Sequence, residues 1–458
     1  MDSIILQTLR EFSLDPYRPI RQRDLDLGNP LEPRAGNLVK VVGGMRRSGK
    51  SYRLFQEMDA VHGAGVPWSR ICYFNFEDER LRPVTSRTGD DVLQAFFYLH
   101  PESIEKGVYL FLDEIQEMED WGAWLRRIVD TTKATIYVSG SSSKMLSTEI
   151  STEFRGRAID FELLPLSFRE RLRFDDDLQP LLEADGGTGV YATEERLRLQ
   201  RAFTGYLERG GFPAVQDLPR PQAISVLQGY VERVVARDVV DRHNFARPQL
   251  VRILAQRLLA LNGKPLSVRN VENDLRSLGF PTSRETLREL IGYLEEACLL
   301  FTMREFSYAL AERTTSRPKV YAIDPGLALA NGRANSNEEG QRLEDAVYLE
   351  LRRRGCGLRR DAVSSYRTRS HGWEVDFVTG DALDGAPYAL YQVTQSMDDQ
   401  QAAARETRAL WEAMDEAGVD EGTLIVADGE ERTYEQNGRR ILQVPAWKWF
   451  MQGGSGEA

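Results

Sequence analysis

The sequence predicts an α/β protein whose first domain is a parallel sheet covered by helices, and two observations predict it. Four short apolar runs, at 38–42, 71–76, 108–112 and 134–139, alternate with helical patterns. That is the order in which a parallel sheet with helices on both faces is laid down. The first run ends on glycine and leads into Gly44-Met45-Arg46-Arg47-Ser48-Gly49-Lys50-Ser51, after which Tyr52, Leu54, Phe55 and Met58 recur at helical spacing. Strand, glycine-bearing loop and helix follow one another in the context that a phosphate-binding loop requires.

The chemistry of that loop follows from its residue types. A triphosphate needs several backbone N–H donors close to its oxygens and a helix N-terminus facing it. Gly44 and Gly49 permit the close wrap, Lys50 reaches the terminal phosphates, and Ser51 is placed for Mg²⁺. The nucleotide contacts are therefore expected from Gly44, Arg46, Arg47, Ser48, Gly49, Lys50, Ser51 and Tyr52, with ATP and Mg²⁺ as cofactors. The run at 108–112 then delivers Asp113 and Glu114 to its C-terminal end. Asp113 is the expected Mg²⁺ partner through water, and Glu114 the expected group that polarises the attacking water.

Composition limits the alternatives. The chain has 458 residues, 41% of them hydrophobic and 28% charged, a globular balance on a length that suggests about three domains. No apolar run approaches the ~20 residues of a membrane span, and the first residues lack the pattern of a signal peptide. Cys72, Cys298 and Cys356 are isolated, which excludes the common zinc layouts and a disulfide framework and fits a reducing cytoplasm. The net charge of −11 argues against general polyanion binding while leaving room for a local basic face.

The rest of the chain divides by texture. Residues 1–35 read as a lead-in, 36–166 as the ATPase core and 167–248 as a mostly helical lid. Within 249–330, three amphipathic helices precede two strand-like segments around 299–303 and 319–323, the outline of a winged helix. Its expected recognition helix, about 283–297, carries Arg284 and Arg288 but also Glu285, Glu289, Glu295 and Glu296, a mixed face for reading DNA. Arg313, Arg317 and Lys319 in the expected wing could contact phosphate. Residues 331–452 read as helix, three strands, helix and strand, and 453–458 as a tail.

The order of motifs resembles a large prokaryotic AAA+ family. The residues that carry the resemblance are Gly44–Ser51, Phe111–Gln116, Gly140–Ser143, Arg155–Arg157 and Glu162–Phe168, then Tyr206–Pro213 and Tyr321–Leu327. It spans nearly the whole chain, and the family's C-terminal half is described as a domain of unknown function. The resemblance implies an AAA+ core akin to the origin-recognition ATPases, a winged helix, and a nuclease-like C-terminal domain; no substrate is implied. In AAA+ proteins a polar residue on the second strand restrains the catalytic glutamate and one after the fourth strand senses the γ-phosphate, positions that Asn75 and Ser141 resemble. Arg155 or Arg157 is the expected finger on a neighbouring subunit's nucleotide, which implies a homo-oligomer. In the last block, Glu344, Glu374, Asp376 and Gln392 resemble the metal-binding set of the PD-(D/E)xK nucleases. Thr394 stands where their lysine belongs, a departure that argues against cleavage. Two functions are then open: ATP-driven movement on a nucleic-acid partner, in the first place DNA, or a nucleotide-gated protein switch with no DNA role.

Overall fold

The computed structural model describes residues 3–141, 156–182, 184, 189–306, 317–332, 339–355, 363–381, 386–397 and 400–452, the side chains of 381, 386–388 and 400–402 excepted. The described chain forms two compact units, Met1–Leu163 with Glu296–Cys298, and Leu164–Glu295 with Leu299–Ala458.

In the first unit, five parallel strands lie in the order β2-β3-β4-β1-β5: β1 Val39–Gly43, β2 Ile71–Asn75, β3 Val108–Asp113, β4 Ala134–Gly140 and β5 Ala158–Glu162. Their sequences explain the arrangement. Strands β1, β3 and β4 are buried along their whole length and are almost continuously apolar, as strands covered on both faces must be. One face packs against α1 (Ser3–Glu11), α3 (Ser86–Leu99) and α5 (Trp121–Thr131) through residues such as Leu110, Phe74, Phe96 and Leu125. The other packs against α2 (Lys50–Gly63) and the lead-in, through Phe55, Met58, Phe111, Tyr137 and Leu27. A short α4 (Glu102–Lys106) precedes β3. Strand β5 is absent from the apolar runs because Ala158-Ile159-Asp160-Phe161-Glu162 is an edge strand, half-buried and partly polar.

The crossover from β1 to α2 places the loop at the C-terminal edge of the sheet, beside the ends of β3 and β4. Register delivers the neighbours: Asn75 pairs with Asp113 across β2 and β3, and Gly43 with Gly140 across β1 and β4.

The second unit begins with α6 (Phe168–Arg173), α7 (Thr193–Arg209) and α8 (Arg220–Arg233), which continues into a π-helical stretch Val234–Asp241. Helices α9 (Pro248–Leu259), α10 (Val268–Ser277) and α11 (Arg284–Glu296) are followed by a small antiparallel sheet in the order β6-β8-β7, made of Lys264–Pro265, Lys319–Ala322 and Leu300–Met303. After α12 (Pro325–Asn331) and α13 (Glu339–Arg354) comes a mixed six-stranded sheet, order β13-β14-β12-β11-β10-β9. Its strands are β9 Val363–Arg367, β10 Glu374–Asp381, β11 Ala386–Thr394, β12 Glu421–Val426, β13 Arg432–Gln436 and β14 Arg439–Pro445. Helix α14 (Gln400–Ala417) closes one face through Leu410, Ala413 and Met414 on Leu390 and Leu424. The β13–β14 hairpin and the closing helix α15 (Ala446–Met451) go beyond the sequence outline. Arg432 to Arg440 is polar and mostly exposed, so its alternation carries little apolar signal.

Three motifs from distant parts of the sequence knit together here. Leu166 N–H donates to Gly211 O at 2.7 Å, and Tyr206 Oη donates to Leu166 O at 3.1 Å. Gly211 N–H and Leu327 N–H both donate to the Asp324 carboxylate, at 2.6 and 2.8 Å. Burial pushes the Asp324 carboxyl from 3.8 up to about 6, against the pull of those N–H groups. A carboxyl raised on folding contributes stability that is full below pH 3.8 and lost as pH rises through about 6. The urea midpoint should therefore fall across that window, and Asp324→Asn should flatten the fall while lowering the midpoint overall. An unchanged slope would count against the buried carboxyl.

Candidate nucleotide site

The loop between β1 and α2 is built around backbone that few residues accept. Gly44 and Gly49 sit at φ +155° and +101°, and Arg47 at +71°. A Cβ on Gly44 would lie 2.2 Å from the Leu163 carbonyl oxygen, so glycine is required there by contact as well as by angle. Gly49 caps α2, and the helix N-terminus opens at Lys50 and Ser51. Ser48 is fully buried, and its hydroxyl has no hydrogen-bond partner among the described residues. Its carbonyl is held by Arg23 Nη1 of the lead-in, 2.8 Å away and buried. Gln56 of α2 fastens Arg23 in turn, accepting its N–H at 2.9 Å. The lead-in thus braces the loop, a role its Arg/Asp-rich sequence does not announce.

Lys50 is buried inside the loop. Its Nζ donates to Gly44 O at 3.2 Å and Met45 O at 3.3 Å, and lies 3.4 Å from Glu114 Oε1. At the end of β3, Asp113 is fully buried and richly bonded. Tyr73 Oη donates to its Oδ2 at 2.8 Å, Ser139 Oγ donates to its Oδ1, and Ser51 bonds it as well. Burial pushes the Asp113 carboxyl up, as does the charge of Glu114, while Ser139, Ser51 and Tyr73 pull it back. For Glu114 burial also acts upward, but Lys50, the Gln116 amide and Arg46 outweigh it and hold the carboxyl below its ordinary value. Glu114 is therefore an ionised carboxylate at neutral pH, at a backbone position with φ +50°.

Of the other expected residues, Ser141 is buried and accepts from Gln116 Nε2 at 3.3 Å, and the same amide donates to Glu114 Oε2 at 2.5 Å. Gln116 thus ties the glutamate to the fourth strand's end. Asn75 turns to its own loop, accepting Glu77 N–H at 2.8 Å. Arg46 pairs with Glu77 at 3.0 Å and Glu117 at 3.2 Å, whereas Arg47 and Tyr52 are exposed. Arg157 is exposed and pairs with Asp130 on α5, not with the nearby Asp160 or Glu162. Arg155 lies outside the described residues.

Three contributors were not singled out in the sequence: Tyr73, Ser139 and Gln116. Ser139 Oγ bridges Asp113 and the Glu114 N–H, which donates to it at 3.1 Å. Ser139→Ala should leave both groups short of a partner. The expected cost is about 1–3 kcal/mol of stability with a raised Mg²⁺ requirement for turnover, read by urea denaturation and an Mg²⁺ titration of ATPase activity.

The geometry is matched by what the chain is similar to. Residues 36–172 match an AAA domain family model, and residues 200–338 match a domain of unknown function, DUF8612. The Methanocaldococcus jannaschii protein MJ1544, itself called uncharacterized, is 30% identical over 421 residues, which are 91% of this chain and 88% of that one. The chain belongs to the MJ1544 family. An uncharacterized Haemophilus influenzae protein is 28% identical over 70% of this chain and 76% of its own. Among solved structures, the Walker-type ATPase PABY2304 of Pyrococcus abyssi aligns at TM-score 0.42 and 13% identity, over 64% of this chain and 90% of that one. The ORC1 protein of Aeropyrum pernix, solved in complex with DNA, aligns at 0.29 and 16%, over 70% and 88%. The AAA model covers the loop after β1 and the ends of β3 and β4 described above. In the described chain, no helix is long and apolar enough to cross a membrane.

Proposed function

We propose that the protein binds and hydrolyses ATP with Mg²⁺, and that the cycle drives a conformational change on a nucleic-acid partner, DNA in the first place. The observation that carries the enzymatic part is the convergence of Lys50, Ser51, Asp113 and Glu114 at one loop edge. The site fits a nucleotide and its metal. A buried orphan hydroxyl (Ser48), a glycine cradle and a helix N-terminus suit phosphate oxygens, and Ser51 beside Asp113 is a hard oxygen pair suited to Mg²⁺. Bound there, Mg²⁺ would neutralise charge on the phosphate oxygens. Lys50 would exchange its loop carbonyls for phosphate. Glu114, kept ionised, orients the attacking water and takes its proton as the terminal phosphate leaves ADP. Gln116 holds that carboxylate in position and couples it to Ser141. Arg155 or Arg157 would complete a neighbouring subunit's site in a homo-oligomer, and the protein works in the cytoplasm.

The domains proposed are the lead-in 1–35, the ATPase core 36–166, the lid 167–248, the winged helix 249–330 and a nuclease-like domain 331–452 that does not cleave. Helices α9–α11 with the β6-β8-β7 sheet support the winged helix, and the gathering of Glu344 with Glu374 and Asp376 of β10 around Lys319 supports the nuclease-like layout. Two observations favour the alternative, a nucleotide-gated protein switch. Lys319, expected in the wing as a phosphate contact, is instead buried among carboxylates, and Arg284 is paired with Glu272 at 2.7 Å. ATP turnover measured with and without duplex DNA separates the two. Several-fold stimulation is expected; equal turnover accompanied by nucleotide-dependent oligomerisation would replace the DNA reading with the switch.

A further inference from the structure

Three carboxylates in the second unit converge on one ammonium. Lys319 of β8 places its Nζ 3.0 Å from Glu344 of α13, 2.8 Å from Glu374 and 3.8 Å from Asp376, the last two on β10. Its side chain is only 13% exposed. Tyr321, two residues along the same strand, donates to the same Glu344 oxygen at 2.7 Å, and Arg367 holds the other Glu374 oxygen at 2.8 Å. Asp376 Oδ2 accepts Val393 N–H at 2.9 Å. Gln392 Oε1 accepts Asp376 N–H at 3.2 Å, and its Nε2 donates to Glu406 at 2.7 Å. Each of the four groups that a nuclease-like reading would offer to a metal therefore has a partner inside the protein. Among the described residues, no three His, Cys, Asp or Glu side chains are set out to hold a metal ion.

We propose that Lys319 is a resident cation of this cluster, occupying the place where Glu344, Glu374 and Asp376 would otherwise hold a divalent metal ion. Three carboxylates this close repel one another unless a positive charge stands between them. An ammonium carries three donors and has no hydration shell to rebuild at each encounter, because it is covalently delivered by β8. Burial alone would strip its charge, yet Glu344, Asp376 and Glu374 more than offset that and hold its pKa above the usual lysine value. The absence of a lysine at Thr394 and the presence of one at Lys319 are then two sides of one rearrangement. The strand that lacks the group cannot supply catalysis, and the strand that supplies it fills the metal position. The proposal rests on the nuclease-like reading only for what a metal there would have done.

The test counts Mn²⁺ bound to the nucleotide-free full-length protein by electron paramagnetic resonance. The parent, Asp376→Asn, Lys319→Met and the double variant Lys319→Met/Asp376→Asn are compared, so that ions at the nucleotide loop cancel. The parent and Asp376→Asn should bind equal numbers of ions. Lys319→Met should gain one ion per chain that the double variant loses. If Lys319→Met does not fold, Lys319→Gln takes its place, because its amide can still donate to Glu344 or Glu374. An Asp376-dependent ion in the parent would overturn the proposal, and so would a folded Lys319 variant that gains none. Cleavage of duplex and single-stranded DNA by Lys319→Met is scored separately. No cleavage is expected, because Thr394 still supplies no lysine; cleavage alongside ion gain would leave the resident cation standing and remove only the reading of a domain that does not cleave.

Discussion

Glu114→Gln is expected to lower ATP turnover by about 10²–10⁴-fold, the range seen when a positioned general base is removed. The substitution keeps the side chain's size and its contact with Gln116 but removes the charge. That charge is what Lys50 neutralises across 3.4 Å and what the Gln116 amide, at 2.5 Å, holds in place. Without it the water lacks a proton acceptor. The Lys50 ammonium, no longer shared with a carboxylate, remains bound only to the Gly44 and Met45 carbonyls. Nucleotide affinity should accordingly be retained or rise, since Lys50 would give up less on turning to phosphate. Single-turnover hydrolysis and fluorescent-nucleotide binding report the two effects independently. A variant that hydrolyses at the parental rate would show that Glu114 is not the base. Gln116→Ala is the companion measurement. It leaves the carboxylate in place but removes its tether to Ser141, and a smaller loss of turnover is expected.

Much of this site was legible because its residues are contiguous. Gly44 to Ser51 is one stretch of backbone, and Asp113-Glu114 closes one apolar strand, so chain order alone brings them to a sheet edge. Ser139 was not legible. It sits in an apolar run at 134–139 and reads as an ordinary strand residue, yet β4 lies directly beside β3, and Ser139 reaches both Asp113 and the Glu114 N–H. Tyr73 hides in the same way within β2. The lead-in's Arg23 acts across 25 residues on the Ser48 carbonyl, a contact that no periodicity encodes. Lys319 is the strongest case. Its surroundings in sequence suggest an exposed wing, and only the packing of β8 against α13 and β10 shows that its charge is consumed internally. The nearer a role lies to a single strand–loop–helix unit, the better it could be read. Roles made by register between strands needed the structure.

Gly326→Ala is expected to cost about 3 kcal/mol or more, the upper end of overpacking, because what it meets is backbone and cannot rotate away. A Cβ there would lie 2.2 Å from both the carbonyl carbon and the oxygen of Arg209, and 2.6 Å from Gly210 N. That segment is pinned from several sides. Arg209 Nη1 donates to the carbonyls of Val215, Gln216 and Leu218 at 3.1, 2.6 and 2.7 Å. Gly210 N–H donates to Tyr206 O at 2.8 Å, while Gly210 itself sits at φ +76° with Asp324 pressed against it. Relief by moving α12 would break the Gly211 N–H bond to Asp324, which caps α12 and moves with it. Urea denaturation followed by tryptophan fluorescence reads the effect, and Gly229→Ala is the matched control. Gly229 lies within α8 with open space where its Cβ would go, so there alanine should add about 0.5–1 kcal/mol by helix propensity. Equal midpoints for Gly326→Ala and the parent would mean that the Tyr206–Pro213 and Tyr321–Leu327 motifs do not dock as described. A large loss confined to Gly326→Ala would show that these distant motifs carry glycine for close packing between them rather than for contact with a ligand.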